Sequence, residues 1–212
     1  MTSRKVGRNK DLFLSDVILI FERSLDSVFT MLEMTITKEM KKSLDMVRIL
    51  SIDPGTATTG WAVLEQDNKE IRAIAYGHIS TSPQKSTAER LMEVAGDLES
   101  IIKKYQPCEG VVEDLFFFKN QKTIIKVGQS RGAIILTMIK AGLKVFEYTP
   151  LQVKQAVTGY GRADKKQVQL MVKNILKLKE IPKPDDTADA IALGICHLQS
   201  RNFSIAKEES RG

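Results

Sequence analysis

Val47–Gly60 reads VRILSIDPGTATTG, and the fold turns on how this stretch is read. Val47, Ile49, Leu50 and Ile52 form a short apolar segment bounded by Asp53, Pro54 and Gly55, the pattern of a buried strand that ends in a tight turn. Gly55, Thr56, Thr58, Thr59 and Gly60 then make a turn rich in hydroxyls and glycine, and Trp61, Ala62 and Val63 begin a second strand, so the stretch predicts a hairpin. Such a turn lets backbone N–H groups approach a phosphate. Asp53, fixed on the strand end beside it, could ligate a divalent cation through hard carboxylate oxygens. Asp-Pro-Gly also closes ordinary hairpins, so the chemistry depends on finding further acids.

Downstream, Ile71–Ser80 alternates as a third strand, completing an antiparallel meander. Ser86 and Glu89 form a capping box for a helix whose apolar face is Leu91, Val94, Ala95, Leu98, Ile101, Ile102 and Tyr105. Gly110 to Glu113 is another short strand ending in an acid. A crossover helix between two strands makes them parallel, which sets Glu113 beside Asp53. Three consecutive phenylalanines, Phe116 to Phe118, cannot all face one core, which predicts an aromatic ring on a loop near the acids, where it could stack on unpaired bases. Lys119 and Lys122 lead into a helix in which Gly128 and Gly132 share a face. Their cost in helix propensity, roughly 1 kcal/mol each, is offset if another helix, such as that of a second subunit, approaches closely.

Leu143–Tyr148 is a further strand, and Thr149, Pro150 and Gln152 announce a short helix ending at Gly159. Asp164 caps a basic helix carrying Lys165, Lys166, Lys173 and Lys177, which Ile181, Pro182 and Pro184 end. The remaining acids follow in PDDTADAIA. Asp186 and Asp189 are three apart and Asp185 and Asp189 four apart, so either pair shares a helix face with Cβ atoms about 5–6 Å apart. Capping accounts for Asp185 or Asp186 but not for Asp189, which sits among Ala188, Ala190 and Ile191 and needs a partner. Carboxylates from two parallel strands and a terminal helix would repel one another strongly without cations. Two hard divalent ions about 3.5–4 Å apart would neutralise them and build a site for in-line phosphodiester hydrolysis.

Composition bounds this reading. The 212 residues, 42% hydrophobic, suffice for one substantial core with an appendage. Cys108 and Cys196 match no zinc spacing and imply no disulfide framework, which predicts a reduced, cytoplasmic setting. Net charge is +6, and residues 144–183 hold nine basic side chains against three acidic ones, an asymmetry that suits a polyanion partner. Residues 1–46 form an N-terminal extension with apolar positions at helical spacing, too short in its apolar run to span a bilayer and interrupted by Asp11 and Asp16. Its role is unassigned, and a start codon placed too far upstream would produce the same segment. Residues 47–200 are read as the catalytic domain and 201–212 as a flexible polar tail.

Together, DPGTATTGWAV, GVVEDLFF with the following KNQ and GQSRG, TPLQVKQAVTGYGRADKKQV and DDTADAIALGICH resemble the RuvC family of Holliday junction resolvases over roughly residues 47–200. The resemblance implies a ribonuclease H-like α/β fold, a homodimer, and Mg2+-dependent nicking of a four-way DNA junction, with Mn2+ able to substitute and a branch-migration helicase complex as partner. It assigns Asp53, Glu113, Asp186 and Asp189 as catalytic, metal-binding acids; spacing alone does not choose Asp186 over Asp185. It matches Phe116 to an aromatic that disrupts bases at the crossover. Lys154 and Lys165, with Lys119 and Lys122, are expected near the DNA, and Gly128 and Gly132 at the dimer interface. Residues 1–46 depart from the pattern, since similar chains begin close to the first strand.

Rival readings share parts of this signature. An actin-like ATPase opens with a similar acid and hydroxyl-rich hairpin but needs a second phosphate loop and an adenosine loop, and neither is found. A non-enzymatic junction binder has no use for convergent acids. A YqgF-like nuclease acting on RNA keeps a similar core and differs in substrate.

Overall fold

A computed structural model describes Met31 and residues 46–209 other than 56, 69 and 115–120; side chains of 121–124 and 202–209 are excluded as well. The helices expected within residues 1–46 therefore lie outside the described residues, and chain contacts separate Met1–Asp45 from Met46–Gly212 as distinct units.

Five strands form one mixed sheet in the order β3-β2-β1-β4-β5: β1 (Val47–Asp53), β2 (Thr58–Asp67), β3 (Glu70–Ser80), β4 (Glu109–Glu113) and β5 (Lys144–Tyr148). β1, β2 and β3 make the antiparallel meander, and β4 and β5 extend it in parallel. The expected α/β architecture is present, with helices on both faces. On one side Leu50, Ile52, Val63 and Val112 pack under α1 (Thr87–Tyr105) and α2 (Gln121–Lys140). On the other, Val47, Ile49, Ala62, Leu64 and Val111 pack under α3 (Pro150–Thr158), α4 (Lys165–Ile175) and α5 (Asp185–Glu209). Among the described residues no helix is long and apolar enough to cross a membrane.

Local chemistry fixes the helix starts. Ser86 with Glu89, Thr149 with Gln152 and Asp164 with Gln167 each form a reciprocal capping box that satisfies otherwise unpaired N–H groups. Two helix ends differ from the expectation. α4 stops at Ile175, short of Lys177, where the backbone turns left-handed with φ of 52°. α5 continues to Glu209, past Ser200 where the sequence reading closes the domain.

Because side chains alternate along a strand, Val47, Ile49, Ser51 and Asp53 all point to the α5 face, and so do Val111 and Glu113. α5 lies close against that face. A Cβ at Gly194 would come within 2.7 Å of Leu64 and 2.8 Å of the Ser51 hydroxyl, so only glycine lets the helix sit there. Buried Ser51 donates to the Ala190 carbonyl at 2.7 Å, satisfying its own hydroxyl within this contact. Farther along, buried His197 is held by Glu109 through Nε2 at 2.7 Å and by the Tyr148 hydroxyl at Nδ1, 2.9 Å. A carboxylate only accepts, so in the neutral ring Nε2 carries the proton and Nδ1 accepts from Tyr148. The helix is thereby tied to β4 and β5 at one end and to β2 and β3 at the other.

Candidate active site

The second tie sets the site. Gly60, expected in the hairpin turn, is instead a β2 residue paired with Asp53. A Cβ on Gly60 would fall 1.9 Å from the Asp186 carbonyl oxygen, so the first turn of α5 rests directly on the strand. Fully buried Thr187 completes the seat by donating its hydroxyl to the Gly77 carbonyl at 3.1 Å. The result is that Asp186 and Asp189 hang over the end of β1.

Parallel pairing of β1 with β4 reaches Ile52 opposite Val112, so Asp53 and Glu113 end adjacent strands as expected. Asp53, Asp186 and Asp189 bring one carboxylate oxygen each to within 4.8 Å of one another. Glu113 does not share that mutual distance with all three, but it lines the same cleft of about 220 Å³ with Asp53, Asp189, Lys154 and Lys165. Asp185 does not join them. Its carboxylate accepts from Gln169 at 3.0 Å and lies 3.4 Å from the Lys165 ammonium, turned toward α4. Of the two residues that spacing does not separate, Asp186 is the one whose carboxylate lies beside those of Asp53 and Asp189, while Asp185 faces α4.

Electrostatics register the crowding. Burial first, then the charges of Glu113, Asp189 and Asp186, push the Asp53 carboxyl up to about 8. Glu113 is raised to about 7, chiefly by burial and then by Asp189, with Lys165 and Lys154 acting against the shift. Asp189 is also raised, again mainly by burial. Lys165 is the counter-charge, its Nζ 2.9 Å from Asp189. Burial disfavours its charged form, but its bonds to Asp189 and Asp185 outweigh that and hold its pKa above the ordinary lysine value. Acids this destabilised as anions fit a divalent cation, which would supply the positive charge that one lysine does not.

Several expected residues fall elsewhere. Phe116 and Lys119 lie outside the described residues, as does the side chain of Lys122 on α2. Gly128 and Gly132 are on α2, and among the described residues a Cβ at Gly132 would meet nothing within 4 Å. Arg131 was not singled out from the sequence, although it sits inside GQSRG. From α2 it donates to the Glu113 carbonyl at 3.0 Å, pairs with Glu147 on β5 and lies 3.8 Å from Asp114. It clamps the end of the strand that carries Glu113.

Comparison with known proteins places the chain in a family. A family model described as "Crossover junction endodeoxyribonuclease RuvC" matches residues 49–197. The protein of that description from Caldicellulosiruptor saccharolyticus is 51% identical over 164 residues, covering 77% of this chain and 99% of its own length. Its counterpart from Caldanaerobacter subterraneus is 54% identical over 157 residues, covering 74% of this chain and 95% of its own length. The structure of T. thermophilus RuvC in complex with Holliday junction substrate superposes with a TM-score of 0.71 at 33% identity, covering 74% of this chain and 96% of that one.

Proposed function

The chain belongs to the RuvC family of crossover junction endodeoxyribonucleases, and from that premise we propose that its acidic cleft resolves Holliday junctions by divalent-cation-dependent phosphodiester hydrolysis. The observation that carries this reading is the convergence of Asp53, Asp186 and Asp189 within 4.8 Å, with Glu113 in the same cleft. Hard carboxylate oxygens suit Mg2+, and two ions would share the four acids, with Mn2+ able to substitute. Bound there, the ions would stabilise charge building on the phosphate and lower the pKa of the attacking water.

This chain's own residues have separate duties. Asp53 and Glu113, on rigid strand ends, hold the cation position fixed relative to the sheet. Asp186 and Asp189 close it from α5, whose seat on Gly60 and Gly77 sets their height. Lys165 neutralises Asp189 while no cation is present and becomes free to meet a phosphate oxygen when one binds. Lys154, lining the same cleft, adds positive charge on the substrate side. Lys119 and Lys122 supply further phosphate contacts, and Phe116, three residues beyond Glu113, takes the place of a stacked base at the crossover, worth roughly 1–3 kcal/mol.

Paired nicks need two sites, and α2 offers a face for pairing two chains. Ile125, Leu136 and Ile139 are 63%, 54% and 57% exposed and lie on one stripe with Gly128 and Gly132. A second copy of α2 laid across this stripe would bury it in an isologous contact. A branch-migration helicase complex would then deliver the junction. The cytoplasm is where such an enzyme meets its DNA.

Incubating the full-length protein with a synthetic four-way DNA junction, a duplex of the same sequence and a structured RNA tests the reading. Junction cleavage that needs Mg2+ supports it; cleavage of the RNA alone would favour a YqgF-like activity.

A further inference from the structure

Three of the four acids in the cleft are seated by backbone: Asp53 ends a strand paired with Gly60, and Asp186 and Asp189 ride on the start of α5 that rests on that glycine. Glu113 is held differently. Its strand pairs with β1 only as far as Val112, so the Glu113 carbonyl lies one residue past that ladder. On the other side β5 runs beside it, with Tyr148 opposite Glu113 and the Asp114 N–H donating to the Tyr148 carbonyl at 2.9 Å. The Glu113 carbonyl is taken by Arg131, whose Nε donates to it at 3.0 Å from α2.

The docking of α2 on β4 brings the arginine there. Met138 sits over Gly110, where a Cβ would come within 2.7 Å of its sulfur, and Ile134, between Met138 and Arg131, is fully buried. Met138 and Arg131 are seven residues apart on the helix, and Gly110 and Glu113 three apart on the strand, a span of about 10 Å in both cases. Helix and strand therefore match at both points. The guanidinium is itself fixed: Nη2 pairs with Glu147 on β5 and lies 3.8 Å from Asp114, with the side chain only 16% exposed. Glu113 points its carboxylate to the α5 face, so Arg131 grips the backbone from the other face and leaves the carboxylate in the cleft.

We propose that Arg131 is a positioning residue for cleavage: by holding the Glu113 backbone it sets the carboxylate where a cation shared with Asp53 needs it. This deepens the reading of the cleft as a cation-dependent nuclease site and rests on it. A ligand carboxylate swings with the backbone that carries it, and groups that orient ligands are typically worth about 10–100-fold in metal affinity or activity. The planar fork of Arg131 serves a carbonyl and a carboxylate together, which the point charge of a lysine does not do in one fixed geometry. In this role Arg131 acts on the cation through Glu113 alone.

Mn2+ binding to the full-length protein without DNA, read from the EPR signal of the free ion, tests this independently of cleavage. Wild-type Mn2+ binding that Asp53→Asn does not weaken overturns the cation-site reading and this proposal with it. Where Asp53→Asn does weaken it, Arg131→Met is expected to weaken Mn2+ binding about tenfold and to raise the Mg2+ concentration for half-maximal junction cleavage by a similar factor. Junction binding in EDTA should stay within about twofold of wild type, because the phosphate contacts are untouched. In Glu113→Gln, where Asp53, Asp186 and Asp189 still bind the ion, adding Arg131→Met is expected to cost less than about twofold more. Glu147→Gln, at a side chain 46% exposed, loosens the same clamp without emptying a buried space and is expected to weaken Mn2+ binding about threefold. It carries the test if Arg131→Met does not fold. Wild-type Mn2+ affinity in the folded variants, or a tenfold loss from Arg131→Met that persists in Glu113→Gln, overturns the proposal.

Discussion

The Lys165 ammonium lies 2.9 Å from the Asp189 carboxylate and 3.4 Å from that of Asp185, reaching from the first turn of α4 to the first turns of α5. Its positive charge lowers the pKa of Asp53 and Glu113 as well, against the burial that raises them. Lys165→Met removes that help, so the acids keep their protons to higher pH and compete less well for a cation. The acidic limb of the cleavage rate against pH is expected to move to higher pH, with the plateau reduced tenfold or more. A plateau lowered with the limb unmoved would assign Lys165 to the DNA alone.

Metal-free stability carries the same signature. The folded Asp53 carboxyl titrates near 8 and that of Glu113 near 7, against 3.8 and 4.5 ordinarily. The folded state therefore holds more protons than the unfolded chain between those values, and stability from these groups is complete below about pH 4 and lost as pH rises to about 8. Melting curves in EDTA are expected to shift to lower temperature from pH 5 to pH 8. Asp53→Asn should flatten that trend, and Mg2+ should reverse it by occupying the acids.

Gly60 tests the seat of α5. An alanine methyl would meet the Asp186 carbonyl oxygen at 1.9 Å, so the helix start must lift. Overpacking of this kind costs roughly 1–3 kcal/mol. Gly60→Ala is expected to lower the melting temperature by several degrees and cleavage by at least a hundredfold, with junction binding nearly intact because the phosphate contacts remain. Cleavage within threefold of wild type would show that the acids do not depend on this contact.

At Gly132 the expectation is the reverse. Among the described residues nothing lies within 4 Å of its would-be Cβ, so a leucine there is accommodated within one chain and improves helix propensity by roughly 1 kcal/mol. If α2 packs on a second α2, Gly132→Leu should yield well-folded monomers in sedimentation that nick without coordination. A dimer unchanged by the substitution would move the interface elsewhere.

Much of this architecture was legible because the signals are local. Alternating apolar residues and capping boxes give the strands and helix starts, and a crossover helix forces the parallel pairing that puts Asp53 beside Glu113. What was not legible depends on long-range contact. Gly60 reads as a turn residue until α5, more than a hundred residues later, is seen resting on it. Arg131 looks like one more cation on a basic helix, and only the tertiary fold reveals that it holds the end of β4. Asp185 and Asp186 are indistinguishable by spacing, because what sets them apart is the contact of Asp185 with Gln169 and Lys165 on another helix.

The central claim is that Asp53, Glu113, Asp186 and Asp189 form the cation site that cuts the junction, while Asp185 belongs to the α4 contact. It is tested most directly by measuring, in the same samples, junction binding and Mg2+-dependent cleavage for Asp53→Asn, Glu113→Gln, Asp186→Asn, Asp189→Asn and Asp185→Asn. Binding rests mainly on phosphate contacts, so all five variants should bind within a fewfold of wild type. The first four should cleave at least a hundredfold more slowly, and Asp185→Asn within about threefold. Full cleavage by Asp189→Asn, or loss of cleavage confined to Asp185→Asn, would contradict the site described.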